Sequence, residues 1–126
     1  MKIILILLFL STSIFSKDHP IHFEIRKIQG NEYRLSINTP KQYGIQRDVP
    51  NRILLSGEDG LSVQKADLNF RGGIHSEKKE YFNKVEDMKI TLKGKGKLNI
   101  NAKIFYCDFQ KNICIPANIQ KTEIIQ

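Results

Sequence analysis

The sequence contains no tryptophan, only two cysteines, and only five arginines beside fifteen lysines. An antibody-type domain packs a buried tryptophan on a disulfide between cysteines far apart in sequence, so the missing tryptophan and the close cysteines exclude that class. The formal net charge is +7, but the lysines are scattered and aromatic residues do not interleave with them. Stacking on single-stranded nucleic acid needs such aromatic residues. We therefore interpret the lysines as a solvated surface and expect no nucleic-acid partner.

Motifs for metal binding and for hydrolysis are also missing. The sequence has no Walker loop, no HExxH segment and no Ser-His-Asp arrangement that spacing supports. His19 and His22 are three residues apart in a segment expected to be extended, which directs their side chains to opposite faces. His75 stands alone. We expect no metal site and no other cofactor.

The first sixteen residues have the layout of a secretory signal peptide. Lys2 precedes an apolar run of eight residues, and small polar residues follow up to Ser16. This run is shorter than the roughly 20 residues that cross a membrane. The sequence therefore predicts a signal peptide at 1–16 and one mature domain at 17–126 in the periplasm or secreted, without stable membrane insertion.

Most of the remaining sequence alternates apolar and polar residues with a period of two, as half-buried strands do. The longest such segment, 97–106, places Leu98, Ile100 and Ile104 on one face. Turn signals at 29–31, 57–60 and 94–96 separate the segments. No stretch shows helical periodicity of useful length, and 76–88 is expected to make a turn or an irregular crossing. About seven short strands with turns between them predict an all-β, immunoglobulin-like antiparallel β-sandwich.

The two cysteines lie in the segment YCDFQKNIC, near the tip of the hairpin predicted between 97–106 and 118–125. In an oxidising compartment, two cysteines allow a single bridge, Cys107–Cys114. Closing so short a loop contributes about 2–3 kcal/mol, so folding does not require it. Two interpretations remain open, a structural staple and a redox pair on an exposed loop.

A redox pair needs shielding from unwanted thiols, and aromatic residues near it are candidates for a cover. Tyr106 and Phe109 are its neighbours in sequence, and Tyr81 and Phe82 belong to another loop that can fold over the pair. Tyr106 continues the inward-facing set of its strand, so the core is its expected place. Phe109 is unusual in a solvated loop and is the better candidate for a cover.

Three stretches together resemble a known family. These are KLNINAKIFYCDFQKNICIP, HSEKKEYFNKVEDMKITL and YGIQRDVPNRILL. They are similar to the amino-terminal periplasmic domain of the bacterial thiol:disulfide interchange protein DsbD and to related small β-domains. The resemblance implies an immunoglobulin-like fold with a cysteine pair on its penultimate hairpin. It also implies that Cys107 is the exposed attacking or attacked sulfur, that Cys114 is its partner, and that residues around Phe70 and His75 form a cap.

The resemblance further implies a function in thiol-disulfide exchange. An exported domain of this kind passes reducing equivalents between a thioredoxin-like donor, or another exported thiol protein, and its protein partners through mixed disulfides. The electron donor is then expected on another chain. The alternative belongs to a different class, a non-catalytic secreted binding or accessory module with a structural disulfide.

Overall fold

The computed structural model describes residues 19–126, so the predicted signal peptide at 1–16 lies outside the described residues and stays a prediction. The described part consists of ten strands joined by turns and loops. The strands are β1 His22–Gln29, β2 Glu32–Asn38, β3 Tyr43–Ile45, β4 Arg52–Glu58, β5 Ser62–Ala66, β6 Gly72–Ile74, β7 Phe82–Val85, β8 Met88–Lys93, β9 Gly96–Asp108 and β10 Ile113–Ile125. Residues 19–126 include no helix long and apolar enough to cross a membrane.

Two antiparallel sheets enclose the core. One has the strand order β1-β2-β8-β5, and the other is built on β9, with β10 along one edge and both β3 and β4 along the other. The chain passes from one sheet to the other at the β2–β3 connection and at the β4–β5 and β8–β9 turns. The predicted all-β antiparallel sandwich is confirmed, whereas the immunoglobulin-like topology stays a prediction.

The alternation of side chains determines which face of each strand is buried. On β9, Leu98, Ile100 and Ile104 are buried, while Asn101 on the opposite face is exposed. Their burial confirms the inward face predicted for 97–106, because successive side chains of a strand point to opposite faces. The inward residues of both sheets form one hydrophobic cluster, which includes Phe23, Leu35, Ile37, Ile53, Met88, Ile90, Leu92, Ala117 and Ile119.

The β4–β5 and β8–β9 turns pack against each other at one end of the sandwich. A side-chain carbon at Gly94 would lie only 2.5 Å from the carbonyl oxygen of Gly60, and Gly94 has a φ of +88°. Glycine is therefore needed at Gly94 both for space and for conformation. From this end, β9 runs the length of the sandwich, so the cysteines near its carboxyl end lie at the opposite end.

Strands β6 and β7 form a small hairpin beside the second sheet. The residues between them, 75–81, make turns, as predicted for the first part of 76–88, but the prediction is wrong for 82–85, which form strand β7. The hairpin continues the sheet beyond β3, because Tyr81 pairs with Gln46 and the N–H of Arg47 donates to the carbonyl oxygen of Glu80 at 2.8 Å. This attachment brings His75 and Tyr81 to the end of the sandwich that carries the cysteines.

Candidate functional site

Cys107 and Cys114 form a disulfide across the β9–β10 hairpin, with an Sγ–Sγ distance of 2.07 Å. The two residues are directly opposite in the strand register, one pair before the turn, and their Cα atoms are 3.9 Å apart. The single bridge predicted near the tip of this hairpin is confirmed. Both cysteines, however, belong to the strands, because β9 and β10 extend further toward the tip than the apolar alternation indicated.

The two sulfur-bearing residues differ in exposure. Cys107 is buried, with 3% of its surface exposed, whereas Cys114 is exposed. The expectation that Cys107 is the exposed sulfur is therefore wrong. The physical reason is the strand order, because Cys107 lies on a central strand between β3 and β10, and Cys114 lies on an edge strand.

The ring of Phe109 covers the outer face of β9 next to Cys107. Gly44 of β3 is directly opposite Cys107, so the two positions share a face of the sheet. A side-chain carbon at Gly44 would lie 2.4 Å from Cζ of Phe109, which means that the ring occupies the space above this glycine. The N–H of Phe109 donates to the carbonyl oxygen of Gln42 at 2.9 Å and holds the start of the turn against β3.

Side chains from the 75–81 segment surround Phe109 on its outer side. The Tyr81 ring packs edge-on at 5.0 Å between centroids, the His75 ring lies at 6.0 Å, and Nζ of Lys78 is 3.8 Å from the centroid of Phe109. Nδ1 of His75 accepts backbone N–H bonds from Glu77 and Lys78 at 3.2 and 3.1 Å, which orients its ring. We call Phe109, Tyr81, His75 and Lys78 the Phe109 cluster. The sequence did not predict Lys78 as part of this cluster. A lysine far from Phe109 in the chain is only a weak signal of a contact between a cation and an aromatic ring.

Tyr106, Phe70 and Phe82, also named from sequence, lie with the core. Tyr106 is buried on the inward face of β9, packs edge-on against Tyr43, and places its hydroxyl 3.2 Å from Nδ1 of His19. Burial raises the pKa of Tyr106, and the nearby Tyr43 and Asp108 raise it further. Phe70 and Phe82 are partly buried and pack against the hydrophobic core. Of the residues expected to shield the disulfide, the structure therefore brings together Phe109, His75 and Tyr81.

Asp108 organises the turn beside the disulfide. Its carboxylate is buried and accepts hydrogen bonds from Nε2 of Gln42 at 3.1 and 3.2 Å, and from the N–H groups of Gln110 and Lys111 at 2.9 and 3.2 Å. Burial has the largest effect on the pKa of Asp108 and raises it, but the hydrogen bonds from Gln42, Lys111 and Gln110 together outweigh burial and lower it. Asp108 is thus a carboxylate that anchors the hairpin tip. An aspartate just before a tight turn is the sequence signal for this role.

An open cleft of about 940 Å³ lies on the inner side of β3, between the β2–β3 connection and the β6–β7 hairpin. Ile37, Ile45 and Val85 contribute its apolar wall, and Lys41 and Lys84 lie at its polar rim. His75 borders this cleft as well as the Phe109 cluster. The cleft therefore lies close to the disulfide site but on the other face of β3.

No protein-family model matches the sequence, and comparison with curated proteins finds no match either. The function has to be inferred from the chemistry of the hairpin tip. That tip offers a disulfide with one exposed end, Cys114, and one buried end, Cys107, beside an aromatic cluster.

Proposed function

We propose that the protein is an exported thiol-disulfide exchange domain that works through Cys107 and Cys114. The observation that carries this proposal is the unequal exposure of the bridge, with Cys114 exposed and Cys107 buried beside Phe109. Exchange begins when a thiolate attacks one disulfide sulfur, and only an accessible sulfur can be attacked. The resemblance of 97–116 to the DsbD amino-terminal domain supports the same function.

The exchange is a two-electron transfer in two displacements. A thiolate of a thioredoxin-like dithiol donor attacks Sγ of Cys114, the bond to Cys107 breaks, and the electron pair leaves with Cys107 as a thiolate. The second thiolate of the donor then attacks the donor's own sulfur in the mixed disulfide and releases Cys114. The donor is left oxidised and the domain reduced. The reduced Cys114 repeats the reaction in the opposite direction on a disulfide of an exported protein partner.

The position of the bridge also favours a working pair over a staple. β9 and β10 already pair along thirteen consecutive positions, and the disulfide joins two residues that this ladder holds opposite each other. A bridge across so short a loop contributes about 2–3 kcal/mol at most. The fold therefore has little need of it, and the bridge can open without separating the strands.

Export accompanies this function, because a periplasmic or secreted protein meets oxidising conditions. The layout of 1–16 supports removal of a signal peptide after Ser16. Mass spectrometry of the exported protein should find a mature amino terminus at or near Lys17. Retention of Met1 in that protein would contradict export by a cleaved signal peptide.

The reduction potential of the pair tests the proposed function. A working pair should have a potential in the range of known exchange proteins, roughly −270 to −120 mV, whereas a structural bridge lies below about −300 mV. The assay equilibrates the full chain with defined ratios of reduced and oxidised dithiothreitol and counts free thiols by alkylation. A potential below about −300 mV would refute the proposal.

Trapping of a mixed disulfide tests which sulfur reacts. The partner for this test is a thioredoxin-like protein that lacks its second cysteine and has its first one activated as a mixed disulfide with thionitrobenzoate, which leaves as the thiolate. The Cys107→Ala variant should trap this partner on the exposed Cys114, while Cys114→Ala should trap much less because Cys107 is buried. Equal trapping by both variants, or trapping only on Cys107, would show that the exposed sulfur is not the point of attack.

The second candidate function is a non-catalytic binding or accessory module with a structural disulfide. The observation that favours it is the cleft of about 940 Å³ beside the site, whose apolar wall and polar rim are typical of small-ligand sites. In this case the bridge would resist dithiol reductants under native conditions. The potential measurement therefore distinguishes the two functions.

A further inference from the structure

The hydrogen bonds of Phe105 show which backbone groups of β10 point away from the sheet. The carbonyl oxygen of Phe105 accepts from the N–H of Gln46 at 2.9 Å, and its own N–H donates to Oδ1 of Asn51 at 2.8 Å. Both groups therefore point away from β10, and the pair Phe105–Pro116 is a non-hydrogen-bonded pair of the β9–β10 ladder. Such pairs alternate with hydrogen-bonded ones along an antiparallel ladder.

The same alternation places Cys114 and Asn118 in non-hydrogen-bonded pairs of this ladder. Cys114 lies two positions before Pro116 and Asn118 two positions after it, so the N–H and C=O groups of both residues point outward from the edge of β10. Pro116 fits this assignment, because proline in a sheet is tolerated where its missing N–H would face away from the ladder. Among residues 19–126, no strand pairs with this edge.

The two halves of the edge differ in how well they are protected from strand addition. Lys121 and Glu123 lie on the inward face of the distal half, opposite Ile100 and Leu98. Nζ of Lys121 donates to the carbonyl oxygen of Phe23 in β1 at 2.7 Å, which ties this half to the other sheet. Inward charges are a common device against edge pairing. The half from Cys114 to Asn118 carries no charged residue, and its one protective feature is Pro116, which lacks an outward N–H but leaves those of Cys114 and Asn118 free to pair.

The direction of the disulfide indicates where an attacking sulfur must lie. Displacement at a disulfide sulfur proceeds in line, so the incoming thiolate approaches Cys114 opposite the bond to Cys107. Because this bond joins neighbouring strands, its extension beyond Cys114 passes out of the free edge of β10. A residue in an added strand would occupy that position.

We propose that an exported thiol protein docks through an extended antiparallel segment along Cys114–Asn118, with the reactive cysteine of that segment directly opposite Cys114. This inference rests on the proposed function. The outward N–H and C=O groups of Cys114 would bond to the partner's cysteine, so the two residues would form a hydrogen-bonded pair. In such a pair the Cα atoms of Cys114 and the partner's cysteine would be about 5.5 Å apart. That spacing falls within the range of about 4.4–6.8 Å that a disulfide requires. The partner is thus recognised by main-chain hydrogen bonds next to the reacting sulfurs, as in other strand additions.

The Asn118→Pro variant tests this docking mode. Proline removes the outward N–H of Asn118 but no hydrogen bond to β9, because Asn118 is in a non-hydrogen-bonded pair with Lys103. The rate at which an excess of a synthetic peptide with one central cysteine opens the bridge of the oxidised full chain should fall roughly two- to tenfold, the effect of one lost hydrogen bond. The rate with dithiothreitol, which cannot add as a strand, should not change.

Two matched variants complete the experiment. Asn118→Ala keeps the N–H and should react with the peptide at the wild-type rate. Gln120→Pro removes another outward N–H, beyond the docking segment, and should also react at that rate. Equal peptide rates for Asn118→Pro and wild type, with normal dithiothreitol rates, would overturn the docking mode while leaving exchange intact. If dithiothreitol fails to open the wild-type bridge, the exchange function fails and the docking mode fails with it.

Hydrogen–deuterium exchange tests the docking mode in a way that does not depend on whether the proline variant folds. In the mixed disulfide of Cys107→Ala with the cysteine peptide, the amides of Cys114 and Asn118 should become protected. Unchanged exchange at both amides would overturn the proposal. Protection of the same amides in oxidised protein alone, together with a dimeric mass in solution, would assign the edge to a second copy and also overturn it.

Discussion

At Gly44, a missing side chain leaves room for the ring of Phe109. In Gly44→Ala, the added carbon would lie 2.4 Å from Cζ of Phe109 and 2.9 Å from Cδ1 of Tyr81, so the rings must move. We expect a loss of about 1–2 kcal/mol in the free energy of unfolding and faster reduction of the disulfide by dithiothreitol, because displacing the cover opens Cys107 as a second point of attack besides Cys114. Chemical denaturation and reduction kinetics measure the two effects.

Gly73→Ala is the matched control, since a side-chain carbon there would meet no atom within 4 Å. It should leave both the stability and the reduction rate close to those of the wild type. Equal reduction rates in Gly44→Ala, Gly73→Ala and wild type would show that Phe109 does not shield the disulfide.

The carboxylate of Asp108 should make stability depend on pH in the acidic range. Its pKa in the folded protein lies below the ordinary value of 3.8, because the hydrogen bonds to the carboxylate outweigh the effect of burial. A lowered folded pKa contributes stability that is present above the unfolded pKa and is lost as the pH falls through the folded one. Wild-type protein should therefore lose more stability than Asp108→Asn as the pH falls below about 4.

Melting temperatures of wild type and Asp108→Asn, measured from neutral pH to the acidic range, check this expectation. The two curves should differ most at neutral pH and converge in acid. A constant difference between them at all pH values would mean that ionisation of Asp108 does not stabilise the tip.

At the scale of the element, the two faces of β9 should differ in how well they tolerate substitution. Ile100 is 1% exposed and faces the core, whereas the neighbouring Asn101 is exposed. Ile100→Asp buries a charge without a partner and should destabilise the domain by about 4 kcal/mol or more, whereas Asn101→Asp should change stability by only about 0.5 kcal/mol. Urea denaturation of the two variants measures the difference. Similar small effects would place Ile100 outside the core.

The long strands were predictable from sequence and the short ones were not. β9 and β10 have alternating apolar residues over many positions, so their existence and most of their extent follow from the pattern. β3, β6 and β7 have only three or four residues each, with glycine or few apolar side chains. Such segments become strands through the neighbours they pair with, and a local pattern does not contain that information.

At the scale of the whole molecule, the stability of the sandwich should exceed what the disulfide adds. The bridge contributes about 2–3 kcal/mol, against a typical total of about 5–15 kcal/mol for a domain. The double variant Cys107→Ala with Cys114→Ala should therefore remain folded, with a far-ultraviolet circular dichroism spectrum like that of the wild type and a lower melting temperature. An unfolded double variant would identify the bridge as a structural requirement and favour the accessory-module function.

The sequence alone determined the all-β class, the turn positions, the inward face of β9 and the single bridge near a hairpin tip, because each depends on local alternation or on two cysteines close in the chain. Tertiary structure decided which sulfur is exposed, since exposure depends on strand order and only Cys114 lies on an edge strand. It also decided the Phe109 cluster, which combines the hairpin tip with residues 75–81. Long-range pairing such as Gln46 with Tyr81 brings these segments together, and a local sequence pattern does not record it.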